Sequence, residues 1–158
     1  MRAAVRKNTA STLRQPQSDA ERVAMVLDLP AHATDLSLVA AIERGLPVSA
    51  ANAIVSSLDP AGETLQVTAF VPKATYHRAK KLRQPLSRDL SERLLAFARV
   101  AAEALRLYGG DTAKTLAFLR AEHPMLGGRS PLDLAITSTA GADLVLKLLW
   151  RADAGVAV

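Results

Sequence analysis

The chain has 158 residues, of which 49% are hydrophobic and only 4% aromatic, and its formal net charge at pH 7 is +5. This length fits one domain or two small ones, and the hydrophobic fraction is ample for a buried core. The absence of cysteine excludes disulfide bonds and thiol chemistry.

The residue types that bind metals or perform catalysis do not cluster in this sequence. His32, His77 and His123 occur singly, without a second ligand at the spacing of a metal site. Paired catalytic carboxylates, a nucleophile elbow and a phosphate-binding loop are also missing, and Gly127-Gly128 alone is a weak phosphate signal. We therefore expect no metal site, no cofactor and no enzymatic activity.

The sequence also lacks the signals of export and membrane insertion. No uncharged apolar run approaches the roughly 18 to 20 residues that a membrane-spanning helix needs. The basic residues 1–14 are not followed by the apolar segment of a secretory signal. We expect a soluble protein of the cytoplasm.

Positive charge is concentrated in two parts of the chain. Residues 64–88 contain six Lys or Arg and no acid, and residues 1–14 contain four and no acid. Between residues 15 and 63 two bases face seven acids, whereas after residue 88 eight bases face eight acids. This distribution is typical of a polyanion-binding surface on one part of a protein.

Taken in chain order, residues 1–34 form the first of three predicted regions. They comprise a basic arm, residues 1–16, which we expect to be mobile, and a variable segment. The arm is either a phosphate-binding element or a solvated tail. Residues 19–29 are either a short helix or an extended segment, and Pro30 ends them in both cases.

The second region, residues 35–99, is predicted to be a helix-turn-helix domain. Asp35 is expected to cap a helix that ends before Gly45, and a second helix with a buried stripe follows Pro47. Asp59-Pro60 is expected to open a weakly specified helix over residues 61–69. After a very short connection, Pro72 begins a basic helix that runs to about Lys81, which completes the helix-turn-helix outline.

The basic helix carries the candidate DNA-binding residues. Its first part is expected to lie in or beside the major groove, and its later bases nearer phosphates. The alternative is a solvated cationic helix. The candidates are Lys73, Thr75, Tyr76, His77 and Arg78 for the groove, and Lys80, Lys81 and Arg83 for the phosphates.

The third region, residues 100–158, begins within the most regular helix of the chain. Ser87 is a good cap for that helix, and its apolar stripe from Leu90 to Tyr108 is wide enough to serve two lobes. Asp111 is expected to cap the next helix, and Ser130-Pro131 and residues 137–139 to begin the last two. No segment alternates strictly between polar and apolar residues, so we predict an all-α fold.

The connection before Ser130 carries the most specific motif. Residues 124–134 read Pro-Met-Leu-Gly-Gly-Arg-Ser-Pro-Leu-Asp-Leu. This is similar to the C-terminal toxin-binding signature of the Xre/ParS-type antitoxins of RES–Xre toxin–antitoxin modules, in which Gly-Gly-Arg and Pro-x-Asp-Leu occur together. Residues 45–48 resemble the opening of that family's DNA-binding half, and Tyr108-Gly109 resembles the end of its central helix. The resemblance extends from about Asp35 to the C terminus.

The resemblance implies an antitoxin with two functions. Its C-terminal half would cover the active site of a RES toxin, which consumes NAD or uses it for ADP-ribosylation. Its helix-turn-helix would bind operator DNA and repress the promoter of the pair, with two half-sites and therefore a homodimer. A stand-alone transcriptional regulator, with a C-terminal unit for dimerisation or sensing, is the alternative.

The expected toxin-binding residues lie in the loop and in the C-terminal tail. A small tail can enter a narrow cleft, Asp153 can pair with a toxin base, and Arg129 with a toxin acid or carbonyl, unless Arg129 makes an intramolecular contact instead. The family often places a tyrosine where Ala154 stands in this sequence. The predicted residues are Gly127, Gly128, Arg129, Ser130, Arg151, Asp153, Gly155 and Val156.

Overall fold

A computed structural model describes residues 18–155, and within this range the chain is helical, without strands. The all-α prediction is confirmed. The predicted mobile arm, residues 1–16, and Val156 lie outside the described residues. The α-helices are α1 (Asp19–Val26), α2 (Asp35–Arg44), α3 (Ser49–Leu58), α4 (Lys73–Leu82), α5 (Arg88–Leu107), α6 (Thr112–Arg120), α7 (Pro131–Thr137) and α8 (Thr139–Asp153), and two short 3-10 helices span Val67–Ala69 and Pro124–Leu126.

Helix α5 is the central element of the fold. It packs against α1, α2 and α3, and also against α6, α7 and α8. Its buried residues include Leu94, Phe97, Ala98 and Ala101, most of which the apolar stripe predicted. One continuous hydrophobic core therefore joins the two halves of the described chain.

Residues 19–29, for which a short helix and an extended segment were both possible, contain a helix, α1. Helix α1 begins with a capping box, in which the Ser18 hydroxyl accepts from the Glu21 amide and the Glu21 carboxylate accepts from the Ser18 amide. Val23 and Leu27 are buried in the common core. The variable segment thus contributes to the body of the protein.

The N-cap of helix α2 lies one residue before the predicted cap, Asp35. Thr34, in extended conformation, is the N-cap: its hydroxyl accepts from the Ser37 amide at 3.2 Å, and the Ser37 hydroxyl accepts from the Thr34 amide at 2.8 Å. Asp35 is the first helical residue, where its carboxylate complements the helix dipole. The prediction that Asp35 caps this helix was wrong because Thr34 has the reciprocal partner.

The helix predicted over residues 61–69 does not form. The buried carboxylate of Asp59 accepts from the amides of Thr64 and Leu65, at 2.7 and 2.8 Å, and from the Thr64 hydroxyl at 3.0 Å. These bonds close a loop instead of capping a helix, and they lower the pKa of Asp59 to about 2. The weak helix formers of this segment leave only the 3-10 helix Val67–Ala69.

No helix among residues 18–155 is both long and apolar enough to cross a membrane.

Candidate functional site

The basic helix α4 is anchored at its start and exposed along its length. The residues before it are fixed in the core: Val71 is fully buried, and the ring of Phe70 lies against that of Phe97 with centroids 4.8 Å apart. Of the residues of α4 itself, only Ala79 is buried. The helix is therefore held at one end and along one narrow face, with most of its side chains on the surface.

Tyr76 is half-buried and contacts a neighbouring helix. Its hydroxyl donates to the side-chain oxygen of Asn52 on α3 at 3.1 Å. The ammonium of Lys80 lies 5.8 Å from the centre of the Tyr76 ring, and the His77 ring meets it edge-on at 5.7 Å. Tyr76 therefore links α4 to α3 and lies beside two exposed side chains of the basic helix.

Five basic side chains on α4 and directly after it lack acidic partners. Within residues 18–155 none of them lies at ion-pair distance from a carboxylate. All of them are exposed, and among residues 18–155 one of their charged groups, the Lys80 ammonium, lies beside an aromatic ring, that of Tyr76. The set, which we call the basic surface, consists of Lys73, Arg78, Lys80, Lys81 and Arg83.

The basic surface borders a groove. Lys80 and Arg83 line a depression of about 390 Å³ together with Ser49 at the start of α3. Arg83 itself adopts the left-handed conformation with φ of 51°, which ends α4 and turns the chain toward α5. The predicted phosphate-binding residues are thus brought together at one end of the helix, whereas Lys73 lies at the other. Thr75 is half-buried.

The loop that carries the Gly-Gly-Arg motif is closed by backbone hydrogen bonds. The His123 amide donates to the Arg129 carbonyl, and the Gly128 amide donates to the His123 carbonyl, both at 3.1 Å. Gly127 and Gly128 have φ of 67° and 76°, in the region that favours glycine. A side chain at either position would have space but a strained backbone.

Arg129 and Ser130, which follow the two glycines, have different environments. Arg129 is exposed and its guanidinium lies 3.4 Å from the Thr137 hydroxyl, with no carboxylate of the described chain at ion-pair distance. Ser130 is buried, and its hydroxyl caps α7 by accepting from the Asp133 amide at 3.1 Å. Arg129 thus makes an intramolecular contact with the last residue of α7, but its charge is not neutralised within the described chain and is available to a partner. The Ser130 hydroxyl serves as a helix cap.

The C-terminal candidates lie at the end of α8. Arg151 and Asp153 belong to the helix, and Gly155 follows it with φ of 72°. The Asp153 carboxylate accepts from the Arg106 guanidinium at 2.7 Å, and Arg106 also donates to Glu103. These two carboxylates raise the pKa of Arg106. The end of α8 is thus tied to α5.

Sequence reasoning did not identify several residues that organise these surfaces. Asn52 binds Tyr76 over a separation of 24 residues, and Arg106 binds Asp153 over 47. Gly141 allows α8 to approach α7 so closely that an added Cβ would lie 2.0 Å from the Leu134 carbonyl oxygen. A glycine in the first turn of a predicted helix was the one available signal.

Comparison with known proteins gives two matches that together cover most of the chain. A family model described as the antitoxin Xre-like helix-turn-helix domain matches residues 37–99. A second, described as the antitoxin Xre/MbcA/ParS C-terminal toxin-binding domain, matches residues 101–155. A protein named antitoxin Xre, from Yersinia enterocolitica serotype O:8 / biotype 1B (strain NCTC 13174 / 8081), is 32% identical over 130 residues, which covers 72% of this chain and 87% of that relative.

Proposed function

This chain belongs to the Xre-type antitoxins, and we propose that it neutralises a RES-domain toxin and represses its own operon. It is an antitoxin and not an enzyme, with a helix-turn-helix domain followed by a toxin-binding domain. The proposed toxin consumes NAD or uses it for ADP-ribosylation, and the antitoxin covers its active site. The proposed assembly contains a homodimer of this chain and acts in the cytoplasm.

One observation carries the proposal of operator binding: the basic surface has no acidic partners within the described chain. Cations that are already paired gain little from a phosphate, whereas unpaired cations release counterions from DNA when they bind it. Lys73, His77 and Arg78 are exposed in the first part of α4 and are the proposed groove contacts. Lys80, Lys81 and Arg83 are the proposed phosphate contacts.

The C-terminal half differs in charge, and this difference supports a protein partner. Residues 89–158 contain equal numbers of basic and acidic residues. The exposed Arg129 at the tip of a closed loop is the proposed contact for a toxin carboxylate or carbonyl. Arg151, Asp153 and Gly155 lie at the end of α8, where Arg106 holds Asp153, and we propose that this end, with Val156, enters the toxin cleft. Steric blockage of this kind requires no catalytic group from the antitoxin.

The DNA-binding proposal is tested by removing two phosphate contacts. Lys80→Ala with Lys81→Ala should weaken binding to a DNA fragment from the promoter of the operon and lower the slope of log affinity against log salt by about 2. The matched control is Lys114→Ala with Lys147→Ala, two exposed cations of the C-terminal half. Unchanged affinity and slope in the α4 variant would disprove the proposal.

The toxin proposal is tested with the product of the adjacent reading frame. If that product is a RES-domain protein, it should co-purify with this chain and lose its NAD-dependent activity. Arg129→Ala, and truncation after Arg151, should each restore part of that activity, whereas Arg44→Ala on α2 should not. Full neutralisation by the truncated chain would exclude insertion of the tail.

A further inference from the structure

A cleft lies where the helix-turn-helix half meets the C-terminal half. We call it the junction cleft. It is an open depression of about 590 Å³, and its walls come from both halves: Thr64, Gln66 and Thr68 on one side, and Arg120, Ser130 and Asp133 on the other. The first wall is the loop and 3-10 helix that lead into α4, and the second is the end of α6 and the start of α7.

Both walls of the junction cleft are held in place. The Asp59 carboxylate binds the amides of Thr64 and Leu65, which fixes the loop. Phe70, directly after the 3-10 helix, is buried against Phe97. On the opposite wall the Ser130 hydroxyl caps α7. Because the backbone of both walls is already fixed, a partner that binds here has to order only the exposed side chains.

The charges of the junction cleft suit a protein and not a nucleic acid. Arg120 and Asp133 are both exposed, and neither has an ion-pair partner among residues 18–155. Their charges balance, and Thr64, Gln66 and Thr68 are neutral. A polyanion would find no net attraction here, in contrast to the basic surface. A protein surface that offers one acid and one base with neutral hydrogen-bonding groups would fit both walls.

The junction cleft is continuous with the toxin-binding half. Ser130 belongs both to the Gly-Gly-Arg loop and to the cleft wall, and the second wall lies inside the segment that matches the toxin-binding family model. We infer that the toxin's footprint crosses the junction cleft onto Thr64, Gln66 and Thr68, so that one toxin molecule contacts both halves of the antitoxin. This inference rests on the proposed function and extends it to residues outside the toxin-binding domain.

Photo-crosslinking and affinity measurements on the full chain test this footprint. With p-benzoylphenylalanine in place of Thr68, irradiation should link the antitoxin to the RES-domain product of the adjacent reading frame. Thr68→Tyr should weaken toxin binding at least tenfold, since the larger side chain fills the cleft. Ser56 is the matched control, because it is exposed in the same half and lines a different groove, beside Met25 and Asn52. The same changes there should give no adduct and less than a twofold loss.

The outcomes separate this inference from the proposed function. If position 68 gives no adduct and Thr68→Tyr binds within twofold of the unmodified chain while Arg129→Ala binds more weakly, the footprint is confined to the C-terminal half and the inference is overturned. If the RES-domain protein does not bind the unmodified chain, the proposed function fails and the inference fails with it. If Thr68→Tyr lowers the melting temperature, its loss of affinity no longer reports on the footprint alone. In that case the presence or absence of a crosslink at position 68 decides whether the toxin contacts the cleft.

Discussion

The Tyr76 hydroxyl donates a hydrogen bond to the side-chain oxygen of Asn52 across 3.1 Å, and this bond joins the basic helix α4 to α3. Few other contacts hold the middle of α4, because Ala79 is its only buried residue. The ring of Tyr76 also lies beside Lys80 and His77. Tyr76 is therefore better placed to orient the helix than to read a base.

Asn52→Ala should weaken specific operator binding without loss of charge. An exposed neutral hydrogen bond contributes about 0.5–1.5 kcal/mol, which corresponds to a two- to tenfold loss of operator affinity if the bond sets the angle of α4. Fluorescence anisotropy at fixed salt measures this loss. Affinity for unrelated DNA should stay within twofold, because all cations remain.

A double-mutant cycle with Tyr76→Phe provides the control. The single variants and the double variant should lose operator affinity to the same extent, since each removes the same bond. Equal losses on operator and unrelated DNA would instead show that the two residues act through general stability and not through orientation.

Ser87 and Tyr76 show which features of this protein can be predicted from its sequence and which cannot. Ser87 caps α5 by accepting from the Leu90 amide three residues later, and such local pairings follow from residue type and spacing. The outline of the fold, the basic helix and the shared central helix were predictable for the same reason. The bond from Tyr76 to Asn52 depends on how α3 and α4 pack, which no local pattern encodes.

The segment after Asp59 shows how a local signal can be overridden. Asp59-Pro60 has the residue types of a helix start, but the carboxylate binds amides five and six residues ahead and closes a loop. A buried carboxylate is stabilised by whichever hydrogen-bond donors the tertiary structure places near it, and here Thr64 and Leu65 provide them.

The candidate toxin-binding residues were proposed from a sequence motif. Their contacts depend on a partner surface, which the sequence of one chain does not contain.

Gly141→Ala should destabilise the protein even though alanine is the better helix former. Alanine gains up to about 1 kcal/mol from helix propensity. The added Cβ would lie 2.0 Å from the Leu134 carbonyl oxygen, so α7 and α8 must separate, and overpacking of this kind typically costs about 1–3 kcal/mol. Because the contact is with backbone, which cannot rotate away, the cost should lie in the upper part of this range, about 2–3 kcal/mol, and we expect a net loss of about 1–2 kcal/mol in urea unfolding. Ala140→Leu, which adds bulk at the exposed neighbouring position, should change stability by less than about 0.5 kcal/mol.

Arg106→Gln should loosen the end of α8 with little effect on global stability. The exposed pair with Asp153 is worth less than about 1 kcal/mol, but it ties the proposed toxin-binding end to α5. Amide exchange at residues 152–154 should become several-fold faster, and toxin dissociation up to about fivefold faster, because the end must be ordered on binding. Arg88→Gln, which breaks the exposed pair with Glu92 on the same helix, is the control and should leave both rates unchanged. A slower dissociation in Arg106→Gln would mean that release of Asp153 favours the toxin.

Asp59 should make the protein sensitive to acid in a defined range. Its hydrogen bonds lower its folded-state pKa to about 2, below the unfolded value of about 3.9. As the pH falls through 4, the unfolded chain binds a proton at this position before the folded chain does, so protonation favours unfolding. The contribution of Asp59 is therefore fully present above about pH 5, and it is lost progressively as the pH falls through 4 toward and below 2. Asp59→Asn should lower the melting temperature at pH 7 and flatten its dependence on pH between 4 and 2, whereas Asp143→Asn, at an exposed position of α8, should retain the wild-type slope. Parallel melting curves for Asp59→Asn and wild type across this range would show that the loop before α4 does not depend on the Asp59 carboxylate.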